Sequence, residues 1–254
     1  MARGTPDGGY QSYSSAVNQS DLGSVADRLL MGGGSQSKTG RVLWATGFEG
    51  ITSGQTPLDI SGYLGAAGTG IIATDNTSPV YQGLNSLKIT TPPVINDVVQ
   101  VYKLLPWQTS KTALELYALI TFPTTSYDLV IEITKLGLEN NKYNMGRLVI
   151  SIIDNTPTVR LYRDNNGIRT LIQDISGLFI GFNTYHFIKF IFDANNNLYA
   201  DAFFDHLRFD LSNIAGFQGS TGNYGMRFLV NLITTTSGAA HVNIDNIILT
   251  ADEP

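Results

Sequence analysis

Cysteine is absent from the 254-residue sequence, which excludes disulfide bonds and thiolate metal sites. Charge is scarce too, since only 15% of the residues are charged, and the net charge is −5. Lys and Arg form no clusters, and phosphate binding needs clustered cations. No apolar run approaches the roughly 18 residues of a membrane-spanning helix, and the first residues lack the basic and apolar regions of a signal peptide. We therefore expect no nucleic-acid partner, no membrane span and no signal-directed export.

Short alternating apolar segments fill most of the sequence after residue 40. In Leu114–Phe122, apolar residues occupy every second position, and a period of two is typical of strands. Turn residues separate the segments, and Asn166-Gly167 supplies the positive φ that tight hairpins need. About a dozen such segments predict an all-β fold, a two-sheet antiparallel jelly-roll sandwich.

Two strand pairings are predicted within this sandwich. Arg41–Glu49 should pair with Ala240–Thr250, which would make residues 41–254 one closed domain. His186–Phe192 and Leu198–Phe204 read as a hairpin across an Asn-rich turn. Because the first of these two segments is the densest apolar run in the chain, we place the hairpin at the centre of the core sheet.

Residues 1–40 read as an extended N-terminal arm. Residues 1–19 are rich in Gly, Ser and Gln with little to bury, and Gly32–Gly40 is a Gly/Ser linker. Between them, Ser20–Leu30 predicts one short helix, with Leu22, Val25 and Leu29 at helical spacing. Such a helix is too short to be stable alone, so it needs a docking surface, either on its own sheet or on a neighbouring subunit.

Three short motifs resemble the jelly-roll domains of carbohydrate-binding modules and of concanavalin/laminin-G-like proteins: GFEG (Gly47–Gly50), GLNSLKI (Gly83–Ile89) and NIDNIIL (Asn243–Leu249). The hairpin Phe187–Asp205 resembles the laminin-G-like pattern, except that His206 stands where that pattern has Gly. A 40-residue arm ahead of such a domain, without an export signal, is similar to the architecture of tailed-bacteriophage virion proteins.

The resemblance to carbohydrate-binding jelly rolls implies a structural calcium ion held by Glu49 and Asp245, which match the acids of the opening and closing strands. The alternative is that both are ordinary turn-flanking acids, and no cofactor is required. Glycan binding needs aromatic platforms beside amides and acids. The candidates lie near turns and could equally be core or ordinary surface aromatics: Trp107, Tyr81, Tyr162 and Tyr199.

Nothing in the sequence predicts an enzyme. The E-x-D-x-x-E string of jelly-roll glucanases is absent, and so is a G-x-S-x-G motif. Glu115 and Glu132 read as solvated residues on the polar faces of neighbouring strands. The three histidines are too dispersed to suggest a zinc site.

The resemblance to tailed-phage virion proteins implies a structural virion protein, a capsid decoration (cement) or tail-associated protein displaying a lectin-like jelly roll. The arm would bind the major capsid or tail protein through the apolar residues Leu22, Val25, Leu29 and Leu30. A homo-oligomer such as a trimer, assembly in the host cytoplasm and a surface glycan as partner are further expectations. The alternative function is a non-catalytic carbohydrate-binding module that recognises a polysaccharide.

Overall fold

The computed structural model describes residues 41–48, 51–57, 60–64, 68–77, 80–81, 84–106, 111–121, 124–138, 141–153, 158–165, 167–176, 181–212, 214–220 and 225–253. The predicted arm and its helix lie outside these ranges. The described residues form sixteen strands: β1 (Arg41–Thr46), β2 (Ser61–Tyr63), β3 (Ile71–Asp75), β4 (Ser86–Thr90), β5 (Val98–Leu105), β6 (Thr112–Ile120), β7 (Tyr127–Leu138), β8 (Lys142–Ile153), β9 (Thr158–Asn165), β10 (Ile168–Asp174), β11 (Thr184–Asp193), β12 (Leu198–Phe204), β13 (Leu207–Asp210), β14 (Phe217–Ser220), β15 (Gly225–Thr234) and β16 (His241–Ala251).

The strands form two antiparallel sheets of eight, which confirms the all-β jelly-roll sandwich predicted from the sequence. Sheet A has the order β13-β12-β11-β6-β16-β4-β3, with β1 paired to β16. Sheet B has the order β10-β9-β8-β7-β15-β5-β2, with β14 paired to β8. No helix in the described ranges is long and apolar enough to cross a membrane.

The core lies between the two sheets and follows from the alternation of the strands. On β6, Leu114, Leu116, Ala118 and Ile120 belong to the main apolar cluster, because residues two apart face the same side of a sheet. The sheets approach closely at Gly146 of β8, where a Cβ atom would lie 2.5 Å from the ring of Phe192. A larger residue at position 146 would force that ring to move.

The predicted pairing of the first strand with the last is confirmed. β1 runs antiparallel to β16, with Thr46 opposite Ile247 and Val42 opposite Thr250. β16 also pairs with β4 and β6, so this strand lies inside sheet A rather than at its edge. A β-bulge between Asp245 and Ile248 interrupts its pairing with β6.

The predicted hairpin of β11 and β12 is present, but its placement at the centre of the sheet is wrong. β6 is the central strand of sheet A, and β12 lies next to the edge strand β13. The dense apolar run has another cause, which is that both faces of β11 are buried. Ile188 and Phe190 point into the main core, whereas Ile191 belongs to a second cluster on the outer face.

Candidate functional site

The outer face of sheet B carries a row of side chains that crosses seven strands. In antiparallel sheets, directly opposed residues point to the same face, so the strand register identifies the members of this row. It contains aromatic, polar and aliphatic side chains. We call this set the cleft row: Tyr63, Gln100, Asn231, Val130, Val149, Tyr162 and Leu171.

An ion pair shows that this face is concave. The guanidinium of Arg169 on β10 lies 2.7 Å from the carboxylate of Asp128 on β7, which also accepts a 2.5 Å hydrogen bond from Ser151. On a flat sheet, three strand spacings alone would separate β10 from β7 by roughly 14 Å. The register adds an offset of about four residues along the strands, or roughly 13 Å. One arginine and one aspartate span these offsets only if β9 and β10 curl over the face.

Asn231 lies in the middle of this concave face, and its side chain carries an acceptor oxygen without a hydrogen-bond partner among the described residues. Its residue is 6% exposed, and its carboxamide oxygen is buried without a hydrogen-bond partner from the described part of the chain. A buried acceptor left unpaired costs about 1–3 kcal/mol. The centre of this face therefore holds an acceptor that the described residues leave unpaired.

A charged cluster borders the cleft row on one side. Glu132 of β7 is fully buried. It accepts hydrogen bonds of 2.6 Å from Arg147, Arg227 and Thr134. Burial raises the pKa of Glu132, but the two guanidinium groups and the Thr134 hydroxyl outweigh burial, so its pKa is lowered overall. Glu132 is therefore held as a carboxylate, which is the wrong state for a general acid.

The two arginines of this cluster keep part of their surface free. The Arg147 side chain is 27% exposed and the Arg227 side chain is 35% exposed. Arg147 donates its Nε–H to Glu132 and Arg227 donates from one terminal nitrogen, and the exposed remainder of both side chains lies beside the cleft row. Arginine presents five N–H donors in a planar fork, so the border of the cleft can donate hydrogen bonds to a ligand.

The structure does not bring the predicted glycan-binding aromatics together. Tyr162 lies on the cleft row and is partly buried. Tyr81 lies on the outer face of sheet A, 45% exposed, and stacks on Tyr117 with ring centroids 3.8 Å apart. Trp107 lies outside the described residues. A glycan that contacts Tyr162 therefore cannot contact Tyr81, because the two are on opposite faces of the sandwich.

The prediction that Tyr199 presents a ring to a glycan is wrong. Its side chain is buried between the sheets, where its hydroxyl accepts a hydrogen bond from the backbone N–H of Arg147 at 3.0 Å. The carbonyl oxygens of Arg147 and Asp164 lie within 3.2 Å of the same hydroxyl. Burial raises the pKa of Tyr199 to about 12. The ring is a core residue that ties β12 to β8 and β9.

The interpretation of Glu115 and Glu132 as solvated residues is also wrong. Both are fully buried, and they lie in different sheets, since Glu115 is on β6 and Glu132 on β7. Glu115 lies 3.1 Å from the ammonium group of Lys189. The alternation of apolar and polar residues correctly predicted that both side chains lie on the outer faces of the sheets. It does not predict which parts of those faces are covered, because that depends on the curvature of the sheet and on segments packed over it.

The calcium site stays a prediction. Asp245 is buried at the β-bulge of β16, where its carboxylate accepts the N–H of Asn246 at 2.7 Å, and Glu49 lies outside the described residues. Within the described ranges, no three His, Cys, Asp or Glu residues come together as metal ligands. Of the histidines, His186 is buried, with Nδ1 2.7 Å from Asp205 and Nε2 2.9 Å from the Gly181 carbonyl.

Sequence reasoning missed Gln100, Asn231, Arg147, Arg169 and Arg227. Their only local signal is a polar residue on the outer side of a strand. What joins them is the register between strands far apart in the sequence, such as β5 with β15 and β15 with β7.

The fold and this face define a class of protein, a jelly-roll β-sandwich with a concave face that mixes aromatic, amide and charged side chains. No family model and no curated protein matches the chain, whereas solved structures do. The carbohydrate esterase of the Shiga toxin-encoding bacteriophage phi24B is similar over 76% of this chain and 90% of that one, with a TM-score of 0.50 and 14% identity.

Two further solved structures have the same fold. The cellulose induced protein Cip1 matches with a TM-score of 0.52 and 12% identity, covering 81% of this chain and 96% of that one. A protein of unknown function from Shewanella oneidensis MR-1 matches with a TM-score of 0.50 and 16% identity, covering 82% and 84%. At these identities the likeness establishes the fold alone.

Proposed function

We propose that this protein binds a polysaccharide, without cleaving it, on the concave outer face of sheet B. The observation that carries the proposal is the buried, unpaired carboxamide oxygen of Asn231, which lies between the two tyrosines of the cleft row, Tyr63 and Tyr162. Two of the solved structures with this fold have carbohydrate-related names, a phage carbohydrate esterase and a cellulose induced protein.

The chemistry of the face suits a sugar chain. Sugar rings have apolar C–H faces that stack on aromatic rings and hydroxyl groups that need hydrogen-bond partners. The cleft row offers tyrosine rings and amides, and Arg147 and Arg227 add donors at its border. Binding sites of this kind are largely apolar, with a few polar groups that fix orientation. Because two arginines hold Glu132 as a carboxylate, this residue is not a proton donor for bond cleavage.

The variant Asn231→Leu separates binding from folding. Leucine has the same number and branching of side-chain heavy atoms as asparagine and removes the unpaired oxygen, so we expect the variant to unfold at the same or a higher denaturant concentration. We also expect it to migrate freely in affinity gels cast with β-glucan, xylan or a bacterial surface polysaccharide that retards the native protein. Tyr81→Ala on the opposite sheet is the matched control and should be retarded normally.

Two results would contradict the proposal. The first is that no polysaccharide retards the native protein. The second is that the Asn231→Leu variant is retarded as strongly as the native protein, which would exclude the face around Asn231 as the binding site. Release of reducing sugars or acyl groups by the purified native protein would show that it is an enzyme.

We further propose that the jelly roll is carried on a tailed-phage particle, decorating the capsid or tail, with residues 1–40 binding the major capsid or tail protein. One solved structure with this fold comes from a bacteriophage protein, and a segment poor in apolar residues gains order against a partner surface. The native chain should co-sediment with particles from its host, whereas a chain starting at Arg41 should stay in the supernatant. Equal sedimentation of both would contradict docking by the arm, and light scattering would test the expected trimer.

A further inference from the structure

The ion pairs on the outer face of sheet B place carboxylates at depth and guanidinium groups toward solvent. Three carboxylates have side chains that are at most 10% exposed: Glu132, Asp128 and Asp164. The arginines that pair with them have side chains that are 27% to 38% exposed: Arg147, Arg227 and Arg169. A ligand on this face therefore has better access to the guanidinium groups than to these carboxylates.

Arg147 keeps the terminal fork of its guanidinium group free. It lies directly opposite Glu132 in the register of β7 and β8, and it donates its Nε–H to that carboxylate at 2.6 Å. Among the described residues, neither Nη1 nor Nη2 of Arg147 has a hydrogen-bond partner. Two parallel N–H groups of an arginine can bind both oxygens of one carboxylate. Arg147 can therefore hold Glu132 through Nε and a second, external carboxylate through its terminal nitrogens.

Arg227 adds further donors on the other side of β7. One of its terminal nitrogens donates to Glu132 at 2.6 Å, whereas its Nε is buried without a hydrogen-bond partner among the described residues. A buried donor left unpaired costs free energy, and the cost is larger when the group is charged. The hydrogen-bonding capacity of Arg227 is therefore only partly used by the described part of the chain.

We propose that the polysaccharide bound on this face is acidic, and that the carboxylate of one of its uronic acid units binds the terminal fork of Arg147. The inference rests on the proposed function, because it names the ligand class of the same face. Arg147 is two residues from Val149 along β8, so its backbone lies roughly 7 Å to one side of the cleft row. A sugar unit on the cleft row can therefore reach this fork with its carboxylate.

Access to donors, rather than an excess of positive charge, favours the acidic ligand. Arg169 pairs with two carboxylates, Asp128 and Asp164, and in the edge pair Arg160–Asp174 both side chains are similarly exposed. The net charge of −5 belongs to the whole chain, and at about 0.15 M salt exposed charges more than roughly 8 Å apart are largely screened. Hydrogen bonds between a guanidinium group and a carboxylate act at contact, so they depend on the free fork of Arg147.

Matched acidic and neutral polysaccharides test the proposal. Isothermal titration calorimetry of the full-length protein would use polygalacturonate, alginate and hyaluronate, each beside its carboxyl-reduced form, which keeps the linkages and loses the charge. We expect at least one acidic polysaccharide to bind, and its carboxyl-reduced form to bind at least about tenfold more weakly. Dextran sulfate is the control for a general attraction of polyanions and should bind more weakly than the acidic polysaccharide.

The variant Arg147→Lys separates the fork from its charge. Lysine keeps a positive charge beside Glu132 but is a point donor without a planar fork. We therefore expect a urea midpoint close to that of the native protein, about tenfold weaker binding of the acidic polysaccharide and unchanged binding of its carboxyl-reduced form. Arg208→Lys is the matched control, because Arg208 pairs with Asp201 on sheet A through the same Nε, and it should bind both forms like the native protein.

Failure of this inference differs from failure of the proposed function. The inference is overturned if the carboxyl-reduced form or dextran sulfate binds as tightly as the acidic polysaccharide, or if only neutral polysaccharides bind. Native affinity of Arg147→Lys for the acidic polysaccharide would overturn it as well. If no polysaccharide binds, acidic or neutral, the proposed function itself is contradicted.

Discussion

Replacing Glu132 with glutamine should destabilise the protein by about 2–3 kcal/mol at pH 7. Removing one partner of a buried ion pair typically costs about 3–5 kcal/mol, because a charge is left without compensation. In Glu132→Gln the guanidinium groups of Arg147 and Arg227 lose their counter-charge. Their side chains keep 27% and 35% of their surface exposed. Because water solvates the exposed part of both guanidinium groups, the expected loss of unfolding free energy is smaller than that range. For a chain of this size, the change corresponds to a fall in Tm of roughly 5–10 °C.

The pH dependence of this effect follows from the lowered pKa of Glu132. Its folded-state pKa lies below the usual value of 4.5, so the ionised group contributes stability that is fully present above that value. The contribution is lost as the pH falls through the lowered folded-state pKa. The difference in the free energy of unfolding between the native protein and Glu132→Gln should therefore be largest near neutral pH and shrink as the pH falls below 4.5.

Urea titrations followed by circular dichroism, at pH 7 and at a pH below 4.5, would measure this difference. Asp210→Asn is the matched control, since Asp210 is an exposed acid on β13 that bonds only to the nearby Ser212 among the contacts described. Its unfolding midpoint should stay close to that of the native protein. A Glu132→Gln variant as stable as the native protein at pH 7, or one whose deficit is the same at both pH values, would refute the reasoning.

Three further outcomes are expected. Tyr199→Phe removes the hydroxyl that binds backbone groups of β8 and β9, and should lower the unfolding free energy by about 1–2 kcal/mol in urea titrations; no loss would mean that water replaces those bonds. Gly146→Ala places a methyl group against the Phe192 ring and should cost about 1–3 kcal/mol, with a visible shift of that ring's NMR signals; an unperturbed ring would argue against the close approach. If Glu49 and Asp245 hold calcium, the metal should raise Tm and EDTA should reverse the rise, and Asp245→Asn should abolish the response; identical melting curves in both buffers would dismiss the site.

Much of the fold could be predicted from the sequence because its signals are local. The alternation of Leu114–Phe122 identified β6, and the Asn/Asp/Gly turns identified the hairpins of β8 to β10. The pairing of β1 with β16 was also predicted, from the argument that a closing strand needs a partner already in place. The rank of each strand within its sheet could not be predicted this way, and the centre of sheet A was misplaced for that reason.

The candidate site was less predictable because it depends on register and curvature. Tyr162 was found as a candidate, but its neighbours on the cleft row come from strands up to about a hundred residues away. Polar residues on an outer face were read as solvated, which failed for Glu132 where sheet B curls over itself. Tyr199 was placed near a turn correctly, yet the strand bulge between Phe190 and Phe192 directs it into the core.

The interior position of β16 has a consequence for synthesis. Residues 241–251 leave the ribosome after all the other described strands, yet they join β4 and β1 on one side to β6 on the other. Until they emerge, β4 and β1 cannot be joined to β6 through β16, and the edges that β16 covers stay open. Folding of this sheet must therefore wait until translation has passed residue 251. A chain interrupted before that point would be left with exposed strand edges and be open to proteolysis, so sheet A is completed only after β16 has been synthesised.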